Sequence, residues 1–271
     1  MNAAGPSTFA WEPLTPHGVA AFGRARIGRL LLVQAIAAVL AAASACWFLS
    51  DSCFPVIGQA IGQLPAQGEI RSGQLDWRGP APQLLAEGRL LAFAVDLDHS
   101  GQIHSSAQVQ IEFGRQTVRV FWLPGYAKFS YPTGWIIAFN QTTLEPLWEA
   151  WAPELLALTG AAVVPGLLLS WAALATIYFL PLRLLAFFTN RDLNLRASWK
   201  LSGAALLPGA LLLTAALALC GLGFFGLVTL AFIFGAHFVL GWIYLLVSLL
   251  FVPRTPAAPP KGNPFRRSTK R

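Results

Sequence analysis

Three stretches of this 271-residue chain carry no Asp, Glu, Lys or Arg: Leu30–Ser50, Leu155–Leu182 and Leu201–Pro253, of 21, 28 and 53 residues. A bilayer core of about 30 Å needs roughly 20 helical residues at 1.5 Å each. The first two stretches predict one membrane-spanning helix apiece. The third would be about 80 Å long as a single helix, so it must fold as two helices joined by a turn. Gly221, Gly223 and Gly226 supply that turn. Charged residues are only 11% of the chain, against about a quarter in soluble domains. An ordinary water-soluble enzyme, a disordered chain and a disulfide scaffold are thereby excluded.

The expected fold class is a membrane α-helical bundle of four transmembrane helices, with a small antiparallel β domain inserted outside the membrane. The boundaries read 1–29 for an N-terminal segment, 30–50 for the first span and 51–152 for the β-rich domain. They continue as 153–182 for the second span, 183–200 for a loop, 201–220 and 227–252 for the last two spans, and 253–271 for a basic tail. Lys and Arg set the orientation. Segments 1–29, 183–200 and 253–271 hold 13 basic residues against the two acids Glu12 and Asp192, whereas 51–154 holds six against ten. Both termini and the 183–200 loop are expected in the cytoplasm of a bacterial inner membrane, and the β domain outside. Trp47, Trp148, Trp151 and Trp199 fall at the expected boundaries, as interfacial anchors do.

Ala43-Ser44-Ala45-Cys46 resembles a lipoprotein cleavage box, but 29 preceding residues are long for a signal peptide, so an uncleaved signal anchor is expected. Cys46, Cys53 and Cys220 leave one thiol unpaired whatever happens. A Cys53–Cys220 disulfide is sterically conceivable; free, partly buried thiols are the expectation.

Within 51–152, Val56, Ile57, Ala60, Ile61 and Leu64 have helical spacing. After Pro65 the period becomes two. Val109, Ile111 and Phe113 alternate with Gln108, Gln110 and Glu112, which predicts a strand with one wet face. Gly114-Arg115 turns into Val118, Val120 and Trp122. Leu91–Leu97 is an earlier strand, Ile70 and Leu75 flank a hairpin at Ser72-Gly73, and Phe129 and Tyr131 mark a last strand. The spacing predicts an antiparallel meander, followed by a helix with Thr143 as its cap. Asp96, Asp98, Ser100 and Gly101 fall where a calcium loop places its ligands and its turn glycine, but position 12 is Ala107, not Glu. A β-hairpin turning at Ser100-Gly101 is the alternative. It puts Asp96 and Asp98 on one face and His99 and His104 on the other, and no metal or cofactor is expected there. Asn140-Gln141-Thr142 has the form of a glycosylation sequon, which matters only in a eukaryotic secretory pathway.

The basic N-terminal segment, single span, outer β domain and clustered later spans, with strand Leu91–Val95 running into Asp96 and the turn Asp98–Gly101, resemble an uncharacterised family of bacterial inner-membrane proteins with a Yip-like helical layout. That resemblance implies the arrangement of helices and no catalytic residue to carry over.

Two features inside the spans are candidates for function. His237, with Gly241, Tyr244 and Ser248 on the same helical face, is an ionisable residue within a span. A neutral imidazole bonded to a neighbouring carbonyl or hydroxyl is the simpler reading. Ala161–Gly166 and Ala204–Gly209 share the pattern Ala-Ala-x-x-Pro-Gly. Pro165 and Pro208 are expected to kink their helices, and paired interruptions can mark a transport site. Thr159, Ala162, Gly166, Ser170 and Ala173 form a small-residue stripe expected to pack on other helices.

The basic tail suits anionic lipid headgroups. Topology accounts for the net charge of +7, and nucleic acid is not an expected partner. No glycine-rich phosphate loop, HExxH or paired-Cys site is present. The leading reading is a non-enzymatic membrane protein whose outer domain binds a protein partner or senses the envelope, with the lipid bilayer as its surroundings and oligomerisation open. The alternatives are a transporter or permease accessory subunit using the Pro-Gly breaks, and a membrane-embedded enzyme centred on His237.

Overall fold

Among the described residues, four helical runs are long and apolar enough to cross a membrane: Ile27–Gly62, Gln141–Phe188, Leu195–Gly221 and Leu227–Leu250. The structure is a computed structural model that describes residues 12–255. Lys261, Arg266, Arg267, Lys270 and Arg271, on which the lipid expectation for the tail rests, lie outside the described residues.

The elements in chain order are α1 (Pro16–Phe22), α2 (Ile27–Phe48), a π-turn (Leu49–Cys53) and α3 (Phe54–Gly62). There follow β1 (Gly68–Arg71), β2 (Gln74–Trp77), β3 (Gln83–Glu87), β4 (Leu91–Val95), β5 (Val109–Phe113), β6 (Thr117–Trp122), β7 (Gly125–Ser130) and β8 (Ile136–Ala138). The last four helices are α4 (Gln141–Phe188), α5 (Leu195–Ala205), α6 (Leu207–Gly221) and α7 (Leu227–Leu250). Several expected boundaries change. The helix expected over 153–182 runs for 48 residues, about 72 Å at 1.5 Å per residue. Residues 183–200, read as a loop, are helical except for the turn 189–194. Asn140, not Thr143, caps α4: its Oδ1 accepts the Thr143 N–H at 2.9 Å. The helix runs unbroken through Pro165. Near Pro208 the chain breaks at Leu206 and restarts, so the proline sits in the first turn of α6, where a missing N–H is tolerated. Ala162, Gly166, Ser170 and Ala173 are exposed, so the stripe on α4 is not covered within one chain.

The chain divides into two compact units. Among the described residues, one comprises 12–33, Trp171–Leu207 and 241–255. Thr15 Oγ1 accepts the Gly18 N–H at 3.0 Å and so starts α1, which packs on α5. Val19, Phe22, Leu182, Leu201 and Leu245 are fully buried there. The Arg191 guanidinium donates to the carbonyls of Leu250 (2.9 Å) and Val252 (2.6 Å). It thereby satisfies acceptors that the end of α7 leaves open.

The other unit comprises Gln34–Ser170 and Pro208–Leu240. Its strands form two sheets, β2-β1-β8 and β3-β4-β5-β6-β7. The meander expectation fails at one point, because β4 and β5 are parallel, Leu91 beside Val109 through Val95 beside Phe113. A parallel pair needs a crossover of about a dozen residues, and 96–108 supplies it. The hairpin at Ser100-Gly101 is therefore absent, and Asp96–Ile103 folds as a crossover. Val56 and Ala60 on α3, with Leu64 just after it, are buried in one core with Ile70, Leu75, Leu85, Val95 and Phe139. At roughly 1.5–3 kcal/mol for each large side chain, this burial is what orders so small a domain.

Candidate functional site

The crossover between β4 and β5 begins at Asp96, which is 2% exposed. Its Oδ2 accepts from the Ser100 hydroxyl at 2.8 Å and the Gly101 N–H at 3.1 Å, closing a tight turn. That turn holds His99 at φ +53°, a left-handed conformation costing about 1 kcal/mol for a residue with a Cβ. The His99 ring recovers this by two contacts. Nδ1 lies 2.5 Å from Glu112 Oε1, and Nε2 lies 3.0 Å from Thr117 Oγ1. With Nδ1 protonated it donates to the carboxylate, and Nε2 accepts from the threonine hydroxyl. Glu112 was expected on a wet face; it is instead 3% exposed, because the crossover covers that side of β5. Further along, Glu87 Oε1 accepts from the Ser105 hydroxyl, the Ser106 N–H and the Ser106 hydroxyl at 2.6–2.8 Å. These bonds hold the Glu87 carboxyl below its ordinary range. The Tyr131 hydroxyl donates to the Gly114 carbonyl at 3.0 Å, and burial pushes its pKa well above the ordinary value.

Glu112, His99 and Thr117 follow the acid–imidazole–hydroxyl order of a hydrolase triad. A nucleophile needs a substrate beside it, however. The neighbouring open cleft, about 560 Å³, is bordered by Glu112 but by neither His99 nor Thr117. His99, on the crossover, is held by Glu112 of β5 and Thr117 of β6, and the cluster fastens the crossover to the sheet.

The acid dependence of this clamp is testable at Asp96. Burial works against its charge, but the bonds from Ser100, Gly101 and Asp98 outweigh it and hold the pKa below the ordinary 3.8. The unfolded chain then binds more protons near and below that value, so stability rises with pH there. The contribution is present above about 3.8 and is lost as pH falls through the lower folded value. The melting temperature of the full chain in detergent should fall less steeply between pH 5 and 2 in Asp96→Asn than in the parent. Equal slopes would remove Asp96 from the account.

The cleft is walled by Ser105, Ser106, Gln108 and Gln110 on one hand and by Phe121, Trp122 and Leu123 on the other. Trp122 and Leu123 are exposed, Leu123 at 77%. Gln108 has a second role: its Oε1 accepts the N–H of Leu227, the first residue of α7, at 2.5 Å. Arg89 donates to the carbonyls of Cys220, Gly221 and Phe225. A cation at the C-terminus of α6 and an acceptor at the N-terminus of α7 both match the helix dipoles. The turn they flank depends on Gly223 at φ +89°. Residues of the β domain thus cap both helices of the α6–α7 hairpin.

The residues singled out from sequence are scattered. Asp98 points to solvent, 3.6 Å from Arg115, while Asp96 is buried. No group of three His, Cys, Asp or Glu side chains suited to a metal occurs among the described residues. The His237 Nδ1 bonds to the Phe234 carbonyl one turn back, and the Tyr244 hydroxyl donates to the Leu14 carbonyl at 2.7 Å. Pro165 and Pro208 differ in surroundings. A Cβ on Gly166 would meet nothing within 4 Å, whereas one on Gly209 would lie 2.5 Å from the His237 carbonyl oxygen. Sequence reasoning missed Glu112, Gln108 and Arg89. The one available signal was the length of 96–108, long enough for a parallel connection.

Comparison with protein-family models, with curated proteins and with solved structures finds no match.

Proposed function

We propose that this is a multi-pass protein of a bacterial inner membrane, non-enzymatic, whose β domain lies outside and takes a protein partner into the cleft beside β5 and β6. Both termini and the turn 189–194 lie in the cytoplasm, following the sorting of basic residues. The observation that carries the reading is Gln108. It borders the cleft and caps α7 at once, so a bound partner that draws on its amide competes with the helix for the same group. That is a route from outer binding to a membrane helix. Hydrogen-bonding groups facing exposed aromatic and aliphatic side chains suit an extended peptide segment. The transporter alternative finds less support, since no charged residue accompanies either Pro-Gly pair.

One experiment tests orientation and partner together. In spheroplasts, a membrane-impermeant maleimide carrying a photo-cross-linker should label Leu123→Cys and not Arg196→Cys, with the unsubstituted chain as background. On illumination the Leu123→Cys adduct should trap one discrete protein. Labelling at Arg196→Cys instead would invert the topology, and a labelled Leu123→Cys that traps nothing would end the partner reading.

A further inference from the structure

We infer that the unit built from the N-terminal helix pair, α5 and the end of α7 contains a binding site for a phosphate group, of an anionic phospholipid or free. The site is a cleft of about 460 Å³ lined by Ala25, Arg26, Ile27, Arg196, Trp199 and Lys200. Three cations border it. Arg26 and Arg196 are exposed, and neither guanidinium has an ion-pair or hydrogen-bond partner among the described residues. Lys200 spends one donor on the Ala25 carbonyl at 2.6 Å, which fixes its ammonium at the rim and leaves two donors. The Trp199 indole N–H is engaged by Thr176 Oγ1 at 3.0 Å, so the ring is held as a wall. The described acids of this unit are Glu12 and Asp192, and neither borders the cleft. Three like charges held together without a counter-ion repel one another, and an anion relieves that repulsion. A phosphate accepts both planar guanidinium forks and the ammonium. Ile27 opens α2 and Arg196 lies in the first turn of α5, neither of which carries an acidic residue, so the positive ends of two helix dipoles add to the field. The apolar share of the lining, Ile27 and the indole, accommodates the glycerol and upper acyl region of a lipid.

The purified full chain in non-ionic detergent is titrated with dioctanoyl phosphatidylglycerol, with dioctanoyl phosphatidylcholine and with inorganic phosphate, and bound ligand is counted by native mass spectrometry. Saturable binding of one phosphatidylglycerol per chain is expected, weakened at least about tenfold in R26Q/R196Q. It should be nearly unchanged in R24Q/R254Q, which removes the same charge outside the cleft. Binding of inorganic phosphate with the same loss in R26Q/R196Q supports the site with free phosphate as its ligand. Equal weakening in both double variants, or phosphatidylcholine bound as well as phosphatidylglycerol, overturns it. The lipid arm rests on the membrane placement proposed above and the inorganic phosphate arm does not, so the two failures are distinguishable.

Discussion

Gly209→Ala will destabilise the chain by about 1–3 kcal/mol, the usual range for forcing extra volume into a packed interior, while Gly166→Ala will stabilise it by up to about 1 kcal/mol. The two glycines stand at the same position of the same sequence pattern, so the contrast isolates their surroundings. A methyl on Gly209 would lie 2.5 Å from the His237 carbonyl oxygen, 3.3 Å from its carbon and 3.5 Å from its Cα. Those are backbone atoms, and no rotamer change moves them aside. The segment of α6 at Gly209 must retreat from α7, losing dispersion contacts along the seam. Gly166 on α4 faces open space, and alanine is the better helix former there by about 1 kcal/mol. Unfolding of both variants by SDS titration in mixed micelles checks the prediction; equal midpoints would mean that α6 and α7 do not meet at Gly209.

Gly114→Ala will cost about 3 kcal/mol, and only while His99 is present. An added methyl would overlap His99 Nε2 and come within 2.5 Å of Cε1. A free imidazole would swing away. This one is held by Glu112 on one nitrogen and Thr117 on the other, and moving it breaks both bonds. Glu112, whose side chain is 4% exposed, would then be a buried carboxylate without its partner, and such a loss costs several kcal/mol. In a His99→Ala background the same Gly114→Ala change should cost under about 0.5 kcal/mol, a double-mutant cycle with a large coupling term. A cost independent of His99 would mean that Gly114 matters for another reason. Thermal unfolding of the four chains, followed by the β-sheet signal in circular dichroism, gives the cycle.

These two predictions also mark where reading the sequence stops. The pattern shared by Ala161–Gly166 and Ala204–Gly209 was visible, and it suggested two equivalent breaks. The structure breaks the chain near one proline and runs a helix through the other. Local pattern specifies which residues can disturb a helix, but packing decides whether the disturbance is used. Strands β5, β6 and β7 were legible from period-two alternation, as were the hairpin at Ser72-Gly73 and the turn at Gly114-Arg115. β3 and β8 carried no such signal, since Gln83–Glu87 holds three apolar residues in a row and Ile136–Ala138 is too short to alternate. Alternation also assigned Glu112 to the solvent side. It describes the strand and its two faces and is blind to what later lies across one of them. His99, Glu112 and Thr117 are separated by 13 and 5 residues and come together only because the crossover folds back over the sheet.

What the sequence determined by itself is the solvent and the sorting of charge. Uncharged runs of 21, 28 and 53 residues give helices long and apolar enough to cross a membrane. That argument needs no neighbour, since it rests on each segment's own transfer from water. The tertiary structure decided everything that depends on which segments meet: the parallel pairing of β4 with β5, the burial of Glu112, the capping of α6 and α7 by Arg89 and Gln108, and the three cations around Trp199. A hydrogen bond or an ion pair is set by distances of a few ångströms between residues far apart in the chain, and composition and periodicity carry no record of those distances.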